Sequence, residues 1–152
     1  MVRRLSVTRR LLLALAALLL SATTGATSEH VMVLIVSSDS PVNHLDVIEV
    51  RKLFLGLTII RDDLSLRAYE NRSDDRLRQA FLQNVIAMPE GTYERRLMSI
   101  TLQQGGRRPR VFTKSQELID ALAMDPSAVS FAWAEDVAQD KRVRALRVLW
   151  RD

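Results

Sequence analysis

Apolar residues enter this chain in two unbroken runs and then in spaced ones, and the change of period lays out the elements. Leu11 to Leu20 holds only leucine and alanine, and Val31 to Val36 is a second continuous run, closed by Ser37-Ser38-Asp39-Ser40-Pro41. A β-branched run without alternation predicts a strand covered on both faces, as in a parallel sheet flanked by helices. The period then becomes helical. Val47, Ile48, Val50, Leu53 and Phe54 gather on one face, with Asp46 and Glu49 as a capping pair at the start and Gly56 at the end. Leu66 to Tyr69 predicts a second strand. Ser73 is the expected N-cap of a helix carrying Asp74 and Asp75 in its first turn, then Leu77, Ala80, Phe81 and Val85, and broken by Pro89 and Gly91. A third helix is expected from Thr92 to Gln103. Gly105-Gly106-Arg107-Arg108-Pro109 opposes helix and reads as a loop before a short strand at Val111-Phe112. Ser115 should cap a fourth helix, with Leu118, Ile119, Leu122 and Met124, stopped by Asp125-Pro126. Ala128 to Trp133 and Val143 to Leu149 complete the set. The order predicts an α/β layered domain with a mostly parallel sheet flanked by helices.

The first apolar run is of another kind. Four arginines and no acid stand in the ten residues before it, and Thr24-Gly25-Ala26 follows as a small-residue cleavage site. That is the layout of a secretory signal peptide, with the cut expected after Ala26. The run is about half the ~20 residues a bilayer span needs, so the mature chain is expected to be periplasmic or secreted and not membrane-embedded. Thr8-Arg9-Arg10 faintly echoes a twin-arginine signal, but no cofactor motif calls for folded export. The mature region, 27–152, is the size of one domain. Charge changes with the leader. The chain has 22 basic and 18 acidic residues. Removing Arg3, Arg4, Arg9 and Arg10 leaves eighteen of each sign and a net charge of zero. A nucleic-acid partner is therefore excluded, because such proteins keep a basic excess. The absence of cysteine excludes lipid attachment at the cleavage site, disulfides and thiolate chemistry.

Several short motifs, taken in order, carry a resemblance. Ser38-x-Ser40-Pro41-Val42, Leu45 and Val50-Arg51-Lys52-Leu53-Phe54-Leu55-Gly56 come first. Arg72-Ser73-Asp74, Arg78-x-x-Phe81, Gly106-Arg107-x-Pro109-Arg110 and Ala128-Val129-Ser130-Phe131-Ala132 follow. This series resembles the phosphate-binding components of ABC transporters, and more closely their short, single-domain relatives of the periplasmic-binding-protein type. The resemblance implies reversible binding of a small inorganic anion such as phosphate, no cofactor, and a membrane transporter or sensor as partner. It departs at one telling place. Where the family has a Ser-Gly-Thr phosphate loop after Arg-Ser-Asp, this chain has Asp75-Arg76-Leu77. Glycines let backbone N–H groups close on a tetrahedral anion. Two carboxylates in the same turn repel one. Gln103-Gln104 likewise replaces a Thr-Gly pair, and the chain is under half the length of a two-lobed receptor, too short for the usual closing cleft.

Candidate ligands of an anion are Ser38 and Ser40, on the loop after the first strand, and Arg72 and Ser73, at the entry of the second helix; Arg76 and Arg107 are secondary candidates. Each has a purely structural use as well. Ser38 and Ser40 can shape a turn, Ser73 can cap, Arg72 can pair with Asp75 or Glu70, and Arg107 with Arg108 can sit in a solvated loop. Trp133 and Trp150 read as core or core rim. Catalysis is not expected. His30, near the mature N-terminus, and His44, in the turn before the first helix, lie near no His/Asp/Glu cluster at metal-ligand spacing, and no nucleophile motif is present. Asp62-Asp63 read as solvated loop carboxylates. The alternative function is an interaction or sensor module that keeps the fold without a ligand and docks on a membrane receptor or transporter.

Overall fold

The computed structural model describes residues 29–152, so the leader and its cleavage site lie outside the described residues. The strand β1 (Val31–Ser37) is buried along nearly its whole length. It sends Met32, Leu34 and Val36 to one face of the sheet and Val33 and Ile35 to the other. Helix α1 (Val47–Phe54) starts at the expected capping box, with Asp46 accepting from the Glu49 amide and Glu49 accepting from the Asp46 amide. A two-stranded hairpin, β2 (Ile60–Arg61) and β3 (Leu64–Ser65), precedes β4 (Arg67–Asn71). Helix α2 (Asp75–Phe81) runs directly into a π-helical turn over Leu82–Ile86 that ends at Ala87 in the left-handed region. Then come α3 (Glu90–Gln104), β5 (Arg110–Phe112), α4 (Ser115–Met124), β6 (Ala128–Trp133), α5 (Ala134–Val137) and β7 (Val143–Arg151).

Five strands form one sheet in the order β5-β4-β6-β1-β7. β4 is parallel to both β5 and β6, while β1 is antiparallel to both β6 and β7. Four of the five strands therefore point one way and β1 alone runs against them. The apolar run of β1 signalled burial on two faces, which it has, but burial carries no information about direction. The sheet is covered on both sides. α1, α2 with its π turn, and α3 pack on the face presenting Met32, Leu34, Phe131 and Trp133, and α4 and α5 pack on the face presenting Val33, Ile35, Tyr69 and Ala132. At the centre of the first face Phe81 stacks flat on Phe131 with ring centroids 3.7 Å apart, and Phe54 meets Phe81 edge-on at 4.8 Å. Among the described residues no helix is long and apolar enough to cross a membrane.

Three expected helix starts move: α2 is capped by Asp74 and not Ser73, and two others shift. α3 begins at Glu90, two residues before Thr92, with Pro89 in extended conformation at its N-cap and no side-chain cap. The N-cap of α4 is Lys114, not Ser115, and no side chain caps it.

The entry to helix α2 as candidate functional site

The exit of β4 is built by Asn71, 2 % exposed. Its amide nitrogen donates to the Phe131 carbonyl oxygen at 3.0 Å, which ties the strand end to β6. Its side-chain oxygen accepts from both the Ser73 amide (3.0 Å) and the Ser73 hydroxyl (2.6 Å). The Ser73 hydroxyl is thereby committed to the strand end and does not cap the helix. The cap is Asp74. Its Oδ1 accepts from the amides of Arg76 and Leu77 at 2.8 and 3.2 Å, and its Oδ2 accepts from the Trp133 indole N–H at 2.9 Å. Burial pushes the Asp74 carboxyl up, but the hydrogen bonds from Trp133, Leu77 and Arg76 outweigh it and hold the group below its ordinary value. The carboxylate thus sits as an anion on the first amides of the helix, where the helix dipole favours it. Asp75, its neighbour, turns to a separate cavity shared with Arg78, Gln79 and Glu90.

The guanidiniums at this entry are matched by carboxylates. Glu70, 3 % exposed, accepts from Arg72 Nε and Arg78 Nε, both at 2.9 Å. Arg72 also donates to Glu94 at 3.0 Å, and Arg78 donates to Glu90 at 2.7 Å. Glu94 extends the chain of contacts by accepting from Arg108 at 2.8 Å. Three arginines and three glutamates therefore close a network that is neutral as a whole. Arg76 donates to Asp152 at 2.8 Å in an exposed pair.

The remaining candidates lie elsewhere. β1 runs against β4 and β6, so its exit lies at the end of the sheet where those strands enter, with Val36 opposite Val129 and Met32 opposite Trp133. Ser38 and Ser40 are consequently at the opposite end from Arg72 and Ser73, and the four residues do not form one pocket. The Ser38 hydroxyl donates to the Lys141 carbonyl at 2.5 Å and the Ser40 hydroxyl to the Pro126 carbonyl at 2.6 Å. Both shape the turn that leads into α1. Arg107 lies in a third place, a cleft beside the start of β4. His30 is held in place: its Nδ1 is 2.9 Å from Glu135, its ring lies 5.2 Å from that of Trp133, and its carbonyl accepts from the Asp152 amide. His44 is exposed in the turn before α1. Trp133 is buried at the core rim and stands 6.3 Å from Trp150. Among the described residues no group of three or more His, Asp or Glu side chains is placed to hold a metal ion.

Sequence reasoning brought forward Arg72, Ser73 and the acidic turn, but not Glu94. Glu94 lies in a helix whose apolar spacing gave no reason to single out one acid. Glu70 was visible only as one of two possible partners for Arg72, and the burial of its strand decides in its favour.

No protein-family profile matches the sequence, and no curated protein sequence matches it. Solved structures do. An ABC-type phosphate transport receptor from Vibrio cholerae superposes with a TM-score of 0.59 at 14% identity, over 78% of this chain and 46% of the receptor. A putative phosphate ABC transporter substrate-binding protein from Clostridium perfringens, with bound phosphate, gives 0.59 at 14% identity over 78% and 45%. PstS from Borrelia burgdorferi gives 0.56 at 11% identity over 78% and 47%. The fold is shared with these receptors, and the chain spans a little under half their length.

Proposed function

We propose that this chain is an exported solute-binding protein that holds an oxyanion of the phosphate type reversibly at the entry to α2, in competition with its own Asp74 carboxylate. One observation carries the reading: an anionic oxygen pair is already seated there, accepting from two helix amides and an indole N–H. The same three donors suit an oxyanion from solution. The fold shared with receptors described as phosphate-binding supports the ligand class, and export rests on the leader. The two anions exclude each other. A unit charge placed ~4 Å from Asp74 loses about 4 kcal/mol at an effective dielectric constant near 20, or roughly a thousandfold in affinity. Binding therefore requires Asp74 to swing aside, and affinity for free phosphate is expected to be weak.

A second reading has an observation of its own. Because Asp74, Glu70, Glu90 and Glu94 already match the local donors and guanidiniums, the entry can equally be permanently shut, leaving an interaction or sensor module that docks on a membrane receptor or transporter. Thermal melting of the protein with phosphate, sulfate and molybdate separates the two. A ligand at a hundredfold excess over Kd adds about 2.7 kcal/mol of stability, which is several degrees for a domain of this size. A rise with phosphate supports oxyanion capture. No rise with any of the three, together with a stoichiometric membrane partner on co-purification, supports the docking module.

A further inference from the structure

The entry to α2 is joined by measured contacts to His30, the residue before β1. The Trp133 indole N–H donates to Asp74 at 2.9 Å, and the His30 ring lies 5.2 Å from the Trp133 ring. The imidazole is fixed from α5 and β7 as well. Its Nδ1 stands 2.9 Å from Glu135 Oε1, and the His30 carbonyl accepts from the Asp152 amide at 3.0 Å. A carboxylate only accepts hydrogen bonds, so Nδ1 carries the proton and Nε2 is the nitrogen that gains one when the ring becomes charged. In Glu135 its own backbone amide and the His30 contact outweigh burial and hold the carboxyl below its ordinary value. Glu135 thus stays an anionic anchor while the imidazole changes charge. The His30 side chain is half-buried and in reach of solvent protons.

Charged groups surround this imidazole on every packed element. α5 brings Glu135 and Asp136, α2 brings Asp74 (through Trp133) and Arg76, and the end of β7 brings Arg151 and Asp152, while Glu29 precedes it in the chain. Arg76 pairs with Asp152 at 2.8 Å and Arg151 lies 3.9 Å from Glu29. Those two pairs cancel, which leaves Asp74, Glu135 and Asp136. Burial, and then the Glu135 and Asp74 carboxylates, push the Asp136 carboxyl above its ordinary value, as expected of a rim short of positive charge. An incoming oxyanion meets the same field. Of the side chain types gathered here, only an imidazole takes on positive charge between about pH 5 and pH 8.

We infer that His30 is a positioning residue of the oxyanion seat, acting through Trp133, and that capture of the oxyanion is coupled to uptake of a proton at His30 Nε2. The inference rests on the oxyanion reading of the α2 entry and adds its regulation. Linkage makes the coupling reciprocal: the bound anion raises the proton affinity of the ring by the factor through which the proton raises anion affinity. Binding therefore strengthens as pH falls through the imidazole range and weakens as it rises.

Titration of orthophosphate into Asp74→Ser and into Asp74→Ser/His30→Gln tests the coupling. Phosphate changes its own charge over the same pH range equally for both proteins, so the comparison isolates His30. At about pH 5.5 and low salt the protein with His30 should bind about tenfold more tightly than its glutamine counterpart, and at about pH 8 with no such advantage. A second measurement leaves His30 in place. Followed by NMR in Asp74→Ser, saturating phosphate should raise the titration midpoint of one histidine ring by about one pH unit, leaving that of His44 unmoved. An affinity ratio between the two proteins that is the same at both pH values would reduce His30 to a packing role and overturn the inference, as would unmoved midpoints for both rings. In either case phosphate binding itself leaves the oxyanion reading standing. No phosphate binding by Asp74→Ser at either pH removes the seat and the coupling together.

Discussion

At the scale of single residues, Asp74 and Glu70 set the character of the helix entry. The Asp74 carboxyl has a folded-state value below its unfolded one. Its stabilising effect is therefore fully present above the unfolded value near 3.9 and is lost as pH falls through the lower folded value. Asp74→Asn keeps a capping side chain but removes that titration. Acid unfolding curves should show the native protein losing stability more steeply than Asp74→Asn below about pH 4. Parallel curves would mean that the carboxylate has no preferred interaction in the folded state. Glu70 is a different case, because two guanidiniums lean on one buried carboxylate. Removing one member of a buried ion pair strands its partners, so Glu70→Gln should cost about 3 kcal/mol in urea unfolding. Much of this was written in the sequence as composition but not as geometry. The acidic turn after Arg72-Ser73 was plain. That Asp74 rather than Ser73 would cap depended on Asn71, whose side chain claims the Ser73 hydroxyl from a strand end fixed by β6.

Elements differ in how far local pattern determines them. The α1 capping box, the Gly105 stop of α3 and the bounds of β6 follow from local rules and stand where those rules put them. The β2–β3 hairpin does not. Its two-residue turn, Asp62-Asp63, has φ of 49° and 62°, the left-handed pair usually supplied by Asn-Gly or Asp-Gly. Without the glycine the sequence shows only two solvated acids. The π turn after α2 is equally silent in the pattern, and it ends on Ala87 at φ 58°. An alanine there bears the Cβ strain that glycine lacks. Ala87→Gly should therefore raise stability, by about 1 kcal/mol, in chemical denaturation. A loss would indicate that flexibility gained by the unfolded chain outweighs the strain. In the core, Phe81 stacks on Phe131 where that turn meets the sheet, and Phe81→Ala should cost about 3–5 kcal/mol in the same experiment.

At the scale of the molecule the direction of one strand reorganises the functional picture. Read as a parallel strand, β1 would deliver Ser38 and Ser40 to the same rim as Arg72. Antiparallel to both neighbours, it delivers them to the far end, where they hold backbone carbonyls. Apolar periodicity reports which faces are covered, and strand direction is decided by connections it does not encode. What remains at the α2 rim is an anion seat held by the chain's own carboxylate. Titrating orthophosphate into the native protein and into Asp74→Ser is the most direct test, since serine preserves the cap while removing the charge and freeing the Trp133 indole N–H. The account predicts that the serine variant binds at least about tenfold more tightly, given a Coulomb opposition of several kcal/mol. Equal or weaker binding by Asp74→Ser, or no binding by either protein, would contradict it.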